Sequence, residues 1–145
     1  RAFNHIGPGQ SPMFAIPDFA KQIAEIEKGI RKPVMYVGNP EAKRDFSDVR
    51  DIVRGYWGLV QNGKKGEIYN IGSNISYSLR ELLDKLIGIS RKKIEVQVDP
   101  AKFRPSDIPE LRADITKIGS HIDWRPQIGM STTLSDILDY WRARC

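Results

Sequence analysis

Short strand-like runs alternate along this chain with longer segments whose apolar residues recur every three or four positions. No other feature limits the fold as strongly, because helices between strands favour parallel pairing over hairpins and define an α/β class. Ala2-Phe3 reads as a short apolar strand. Residues 6–17, with Gly7-Pro8-Gly9-Gln10 and further prolines, read as a loop. Pro17 suits the first turn of a helix whose buried face is Phe19, Ala20, Ile23, Ala24, Ile26 and Ile30, with Gly29 near its end. Val34-Met35-Tyr36-Val37 predicts a second strand, broken by Gly38-Asn39-Pro40. The charged residues 41–45 read as a loop into a helix carrying Val49, Ile52, Val53, Tyr56, Trp57 and Val60 at helical spacing, with Gly63 as its stop.

Residues 67–71 predict a strand closed by Gly72. Ser78 and Glu81 have capping-box spacing ahead of a helix that buries Leu79, Leu82, Leu83, Leu86 and Ile87. Ile94, Val96 and Val98 alternate with polar residues as a half-buried strand does. Residues 103–109 form a proline-bounded loop, 114–120 a short helix, and a last helix from about Ser131 turns Leu134, Ile137, Leu138 and Trp141 inward. The few short strands are thin for a complete doubly wound sheet, which points to part of a larger unit. The opening Arg1-Ala2-Phe3-Asn4 likewise reads as the middle of a protein.

Composition narrows the function classes. With 145 residues, 40% of them hydrophobic, the chain buries a core and is neither a disordered tail nor a disulfide scaffold. No apolar run approaches the roughly 20 residues that span a bilayer, and the first residues lack a signal-peptide apolar region. One cysteine, Cys145, excludes an internal disulfide and suits a reducing, cytoplasmic setting. The net charge of +5 leaves nucleic acid, a membrane surface, phosphate ligands or a missing acidic part as open readings. The basic residues are scattered rather than striped, which argues against nucleic acid.

No glycine-rich dinucleotide or mononucleotide phosphate loop occurs, and His5 and His121 lack metal-ligand spacing. Arg44 and Arg104 follow expected strands, where α/β proteins bind ligands, and a guanidinium fork suits pyrophosphate oxygens. A loop arginine is nevertheless more often a solvated charge. Asn4 at a strand end aims an amide into a cleft or is an ordinary turn residue. Asp45, Asp48 and Asp51 read as helix-start carboxylates complementing the helix dipole, and Trp57, Trp124 and Trp141 as core.

Several motifs resemble those of a known family. Arg1-Ala2-Phe3-Asn4-His5-Ile6-Gly7-Pro8-Gly9-Gln10 resembles the segment after the catalytic Tyr-x-x-x-Lys of extended short-chain dehydrogenase/reductases, the epimerase/dehydratase family. Arg44-Asp45-Phe46-Ser47-Asp48-Val49-Arg50-Asp51-Ile52-Val53 resembles that family's substrate-phosphate motif, and Tyr69-Asn70-Ile71-Gly72-Ser73 and Asp123-Trp124-Arg125-Pro126 resemble two structural landmarks. They stand in the family's order. Val37-Gly38-Asn39 and Phe103-Arg104-Pro105-Ser106-Asp107 are similar to the members acting on GDP-mannose and its 4-keto-6-deoxy product. Among these, GDP-mannose 4,6-dehydratases have Trp-Gly-His after the Arg-Asp and an Arg-Arg pair after the Asn-His. Phe46-Ser47-Asp48 and Gly9-Gln10 stand in those places and resemble the members that reduce the 4-keto group.

The resemblance implies that residues 1–145 are the C-terminal, substrate-binding domain, with the N-terminal Rossmann half and its catalytic Tyr and Lys outside this chain. It implies an NAD(P) cofactor bound mainly by that half, with His5 near the nicotinamide. It implies a GDP-sugar facing Asn4 and Lys21, its pyrophosphate on Arg44 and Arg104, and its base bordered by residues 13–16. Pro105, Ser106 and Asp107 complete the substrate contacts, with Asp107 on the ribose where the family usually has Glu. A homodimer is a further implication. No nucleic-acid or membrane partner is expected.

Overall fold

A computed structural model describes residues 1–38, 41–102 and 108–145. The elements in order are β1 (Asn4–Ile6), α1 (Ala15–Glu27), β2 (Val34–Val37), β3 (Lys43–Asp48), α2 (Val49–Asn62), β4 (Ser76–Ser78), α3 (Leu79–Gly88), β5 (Glu95–Val98), a single 3-10 turn (Pro100–Lys102), β6 (Glu110–Leu111), α4 (Thr116–Ile122) and α5 (Met130–Arg142). The class is mixed α/β, with short strands, mostly in parallel pairs, and five described helices.

The expected second strand and helices α2 and α3 lie where the sequence places them. Ser78 and Glu81 form the capping box in both directions, and the Gly63 amide closes α2 on the Leu59 carbonyl. Helix α1 starts earlier than read, at Ala15, with Pro17 in its first turn, and Ile30 lies beyond its end, exposed. The short helix α4 and the last helix α5 also fall close to their expected places.

The strands differ more. The first begins at Asn4, just past the expected Ala2-Phe3. Residues 43–48, half of which the sequence assigns to a loop, form β3, the centre of the larger sheet. It pairs with β1 in parallel from Asn4↔Phe46 to Ile6↔Asp48. Its other half runs antiparallel to β4, with Arg44 opposite Tyr77, and parallel to β6, with Arg44 opposite Leu111. Its charged residues suggest a loop, but Asp45 is buried among hydrogen-bond donors, so its charge is compatible with a strand. The expected strand at 67–71 shrinks to one parallel bridge, Ala2↔Ile71, with Phe3 N donating to the Ile71 carbonyl at 2.9 Å. The pair β2/β5 forms a separate parallel ribbon, from Val34↔Glu95 to Val37↔Val98.

Two cores hold these layers. In the larger, Phe19 and Ile23 of α1, Leu82 and Leu86 of α3, and Leu134 and Ile137 of α5 pack with Met35, Val37 and Phe46. The smaller gathers Ile52, Tyr69, Ile71, Ile118 and Trp124. Burying each such side chain contributes roughly 1.5–3 kcal/mol. Helix α2 enters the smaller core on a narrow stripe only. Gly55 lets Trp124 approach, since a Cβ there would lie 3.0 Å from the indole nitrogen. Val53, Tyr56, Trp57 and Val60, read from spacing as one face of α2, are exposed, and Trp57 is not core.

The three aspartates around the start of α2 do more than complement its dipole. Asp48 is the N-cap, accepting from Arg50 N at 2.8 Å, and also accepts from Thr133 Oγ1 of α5 at 2.8 Å. Burial pushes its carboxyl up, but the bonds from Arg50 and Thr133 outweigh it and hold it below the ordinary value. Asp51 accepts from the backbone of Gln127 and Ile128, each at 2.9 Å. Asp45 is not at a helix start at all. It lies in β3 and binds other loops.

Candidate functional site

A cleft of about 1110 Å³ opens where β1, β2, β3 and the amino end of α1 meet. Asn4 and His5 of β1, Tyr36 and Val37 of β2, and Arg44 and Phe46 of β3 all line it. Parallel pairing explains this convergence. β1 and β3 run side by side, so Asn4 stands level with Phe46, two residues from Arg44. In β3 alternation sends Arg44 and Phe46 to the cleft and Asp45 to the opposite face, where it binds Ser73 and Ala113. The carboxyl end of β2 opens into the cleft, as does Ala101 just after β5. That agrees with the rule that α/β proteins bind ligands beyond strand ends. Arg44, however, reaches the cleft from within a strand and not from a loop.

Hydrogen bonds hold the wall in place. His5 Nδ1 donates to the Phe3 carbonyl at 3.0 Å, which leaves Nε2 of the neutral ring as the acceptor. Gln10 Nε2 donates to the His5 carbonyl at 3.2 Å and so ties the Gly/Pro loop to β1. Arg44 donates through an Nη to the Lys43 carbonyl at 2.7 Å. Across the ladder Tyr77 is pushed above its ordinary pKa, first by burial and then by the charges of Glu81 and Asp45.

Asn4, His5, Arg44 and the segment holding Met13 and Phe14 therefore share one cleft, with Met13 89% exposed at its rim. Lys21 does not join them. Its ammonium lies 3.8 Å from Glu25 and 5.6 Å from the Trp141 ring centre, away from the cleft lining. Asp18 of α1 lines the cleft instead, accepting from Gln22 Nε2 at 2.7 Å. Arg104, Pro105, Ser106 and Asp107 lie outside the described residues.

The sequence reading misses Tyr36 and Asp18. The first is legible from alternation: Met35 and Val37 are buried, so Tyr36 faces outward, toward the cleft. The second needs the rotation of α1, which spacing to Pro17 alone does not fix.

Chemically, the arrangement offers a cation from Arg44, an amide from Asn4, an imidazole from His5 and flat apolar surface from Phe14 and Tyr36. Such a set suits a ligand with an anionic centre, hydroxyls and a ring.

Comparisons with known proteins agree with the resemblance read in the sequence. The family model described as GDP-mannose 4,6 dehydratase matches residues 1–137. A GDP-6-deoxy-D-mannose reductase from Pseudomonas aeruginosa is 35% identical over 144 residues, 99% of this chain and 47% of that protein. GDP-mannose 4,6 dehydratase 1 of Arabidopsis thaliana is 26% identical over 139 residues, 94% of this chain and 38% of that protein. Among solved structures, RMD from Pseudomonas aeruginosa complexed with NADPH superposes with a TM-score of 0.95 at 33% identity, covering 100% of this chain and 48% of that one. UDP-glucuronic acid 4-epimerase from Bacillus cereus, in complex with UDP-glucuronic acid and NAD, superposes at 0.79 with 27% identity, covering 99% of this chain and 44% of that one. The chain thus spans less than half the length of these relatives. Its fold is that of part of a short-chain dehydrogenase/reductase.

Proposed function

The chain belongs to the GDP-mannose 4,6 dehydratase family, and from that premise we propose that it is the substrate-binding part of an NAD(P)-dependent enzyme acting on a GDP-linked sugar. The observation that carries this reading is the shared cleft, which brings Asn4, His5 and Arg44 from β1 and β3 to one surface beside Phe14 and Tyr36. In this reading Arg44 binds the pyrophosphate as a planar fork of donors. Arg104 joins it from residues 103–107, with Pro105, Ser106 and Asp107 completing the contacts. Asn4 hydrogen-bonds the sugar. Lys21, also expected to face the substrate, pairs with Glu25 outside the cleft lining.

The dinucleotide fits this chain on one side only. His5 stands exposed at β1, where a nicotinamide edge can meet it, while the sequence carries no glycine-rich turn for the phosphates. When bound, NAD(P)H supplies the hydride. The residues of this chain hold the sugar nucleotide against it, and an N-terminal Rossmann half supplies the rest of the cofactor site together with the acid that protonates the reduced oxygen. Such an enzyme works in the cytoplasm and as a homodimer.

Reduction of GDP-4-keto-6-deoxy-mannose is the favoured reaction, supported by Gly9-Gln10 and Phe46-Ser47-Asp48 in the places that separate the two activities, and by the similarity to the Pseudomonas reductase. The alternative is a GDP-mannose 4,6-dehydratase, favoured by the matching family model. A non-catalytic sugar-nucleotide-binding module on the same fold is the reading that absence of turnover would leave. The test is to give the intact protein NAD(P)H with GDP-4-keto-6-deoxy-mannose, and separately NAD(P)⁺ with GDP-mannose. Consumption of NAD(P)H with the keto sugar supports the reductase. Formation of the keto sugar from GDP-mannose supports the dehydratase.

Among the described residues no helix is long and apolar enough to cross a membrane.

A further inference from the structure

We propose that Asp45 is a positioning residue for anion binding, acting through Arg44 by locking the two short ladders that flank it. The proposal rests on the reading of Arg44 as the anion contact of the cleft.

Asp45 is 1% exposed. Its Oδ1 accepts from Ser73 N and Ser73 Oγ, both at 2.7 Å, and its Oδ2 accepts from Asn74 N at 2.9 Å and Ala113 N at 3.0 Å. Two consecutive backbone amides and a third from a distant segment thus converge on one carboxylate. This is the geometry of an anion nest, here filled by the protein's own side chain. Asn74 sits at φ 59°, a left-handed conformation that a non-glycine residue adopts at a cost and that the two amide bonds to Asp45 help to hold. Gly72 leaves the room: a Cβ there would lie 2.5 Å from the Ala113 Cβ and 3.0 Å from Asp45 Oδ2.

What the nest holds is specific. The turn at 73–74 leads into β4, and Ala113 follows β6 by two residues. Those two strands flank Arg44, through Tyr77 on β4 and Leu111 on β6. Each ladder is only two or three residues long, too short to fix its own register firmly. The β1 side of β3 is held apart from this. It has its own ladder, and Asp48 anchors that end of β3 to Arg50 and Thr133. Loss of the Asp45 carboxylate should therefore loosen the strand around Arg44 while leaving Asn4 and His5 where they are.

Asp45→Asn is the direct test, because either amide orientation turns an NH2 group toward two N–H or O–H donors. In the intact protein, calorimetric titration should show GDP binding weakened by about tenfold or more, and NADPH binding within about twofold of the parent. KM for the sugar nucleotide should rise while kcat changes little. The decisive measurement is the double-mutant cycle with Arg44→Ala. If Asp45 acts through Arg44, Asp45→Asn costs almost nothing further once Arg44 is gone. Additive losses, or equal losses for GDP and NADPH, would overturn the proposal. Ser73→Ala removes one donor from the turn and should weaken GDP in the same direction but less. It answers the question if Asp45→Asn fails to fold, and unchanged GDP affinity in Ser73→Ala would then count against the proposal. Should Arg44→Ala itself leave GDP binding intact, the cleft reading fails and this proposal fails with it. If Arg44→Ala weakens GDP and Asp45→Asn does not, only this proposal fails.

Discussion

Arg44 is the side chain on which the ligand reading turns, and its expected energetics are simple. A charge-assisted bond from a guanidinium to a phosphate oxygen contributes roughly 1.5–3 kcal/mol net. Arg44→Ala should therefore weaken GDP binding by about ten- to more than a hundredfold, and Arg44→Lys should recover only part, since a point charge lacks the fork. Arg31, which pairs with Glu25 and Gln22 away from the cleft lining, should be nearly neutral in the same titration. His5 makes the opposite prediction. It is exposed on β1 with Nδ1 committed to the Phe3 carbonyl, so His5→Ala in the intact protein should weaken NADPH more than GDP. A loss confined to GDP would move His5 to the sugar side. Asn4, His5 and Arg44 are legible because each belongs to a continuous motif whose register the strand preserves. Lys21 falls outside the cleft lining, because a motif locates a helix without fixing its rotation. The partner that draws Lys21 away, Glu25, lies four residues on and is itself readable as an i,i+4 pair.

At the scale of elements, helices are more legible than strands: β2 and β5 fall where the sequence places them, but β3, β4 and β6 do not. The reason is physical. A helix satisfies its own backbone, so periodicity, the Ser78–Glu81 box and the Gly63 stop mark it locally. A strand of two to six residues is defined by its neighbours, and β3, β4 and β6 exist because of each other. The apparent face of α2 misleads for a related reason: spacing shows which residues share a side, not whether anything covers it. Side-chain bonds between distant elements are also hidden, and one carries a pH prediction. Arg142 of α5 grips Glu27 at the end of α1 through Nε at 2.7 Å and an Nη at 2.8 Å, with the Glu27 side chain only 7% exposed. The bonds from Arg142 outweigh burial and hold the Glu27 carboxyl below its ordinary value of 4.5. A depressed folded-state pKa means that the stabilisation is complete above about 4.5 and fades as pH falls through the lower folded value. Glu27→Gln should cost about 1–3 kcal/mol at neutral pH and much less near about pH 3. Urea unfolding of the intact protein at both values would check this, and an equal loss at both would show that the charge is not the cause.

On the whole molecule, the exposed side of α2 points to a covering layer of protein. Val53, Tyr56, Trp57 and Val60 are 58%, 48%, 63% and 79% exposed, and Ile68 nearby is 56% exposed. Large apolar side chains repeating along one helix side are the kind of surface that another layer of protein buries. The relatives are more than twice as long as the part this chain matches. If the Rossmann half packs on this side, the same substitution should have opposite consequences in two contexts. In the 145-residue chain alone, Trp57→Lys removes an exposed apolar group, so it should lower the binding of a hydrophobic dye and leave the melting temperature unchanged or raised. In the intact protein it should place a charge in a packed interface and lower the melting temperature by several degrees, about what a loss of 1–3 kcal/mol produces in a protein of that size. Ile30→Lys is the control, since Ile30 is exposed beyond the end of α1 and should be tolerated in both. Dye binding and thermal melts of the four variant proteins, read against the two parents, decide it. A Trp57 change that is harmless in the intact protein would mean that α2 stays bare there, and the face would then be open to a second copy of the chain.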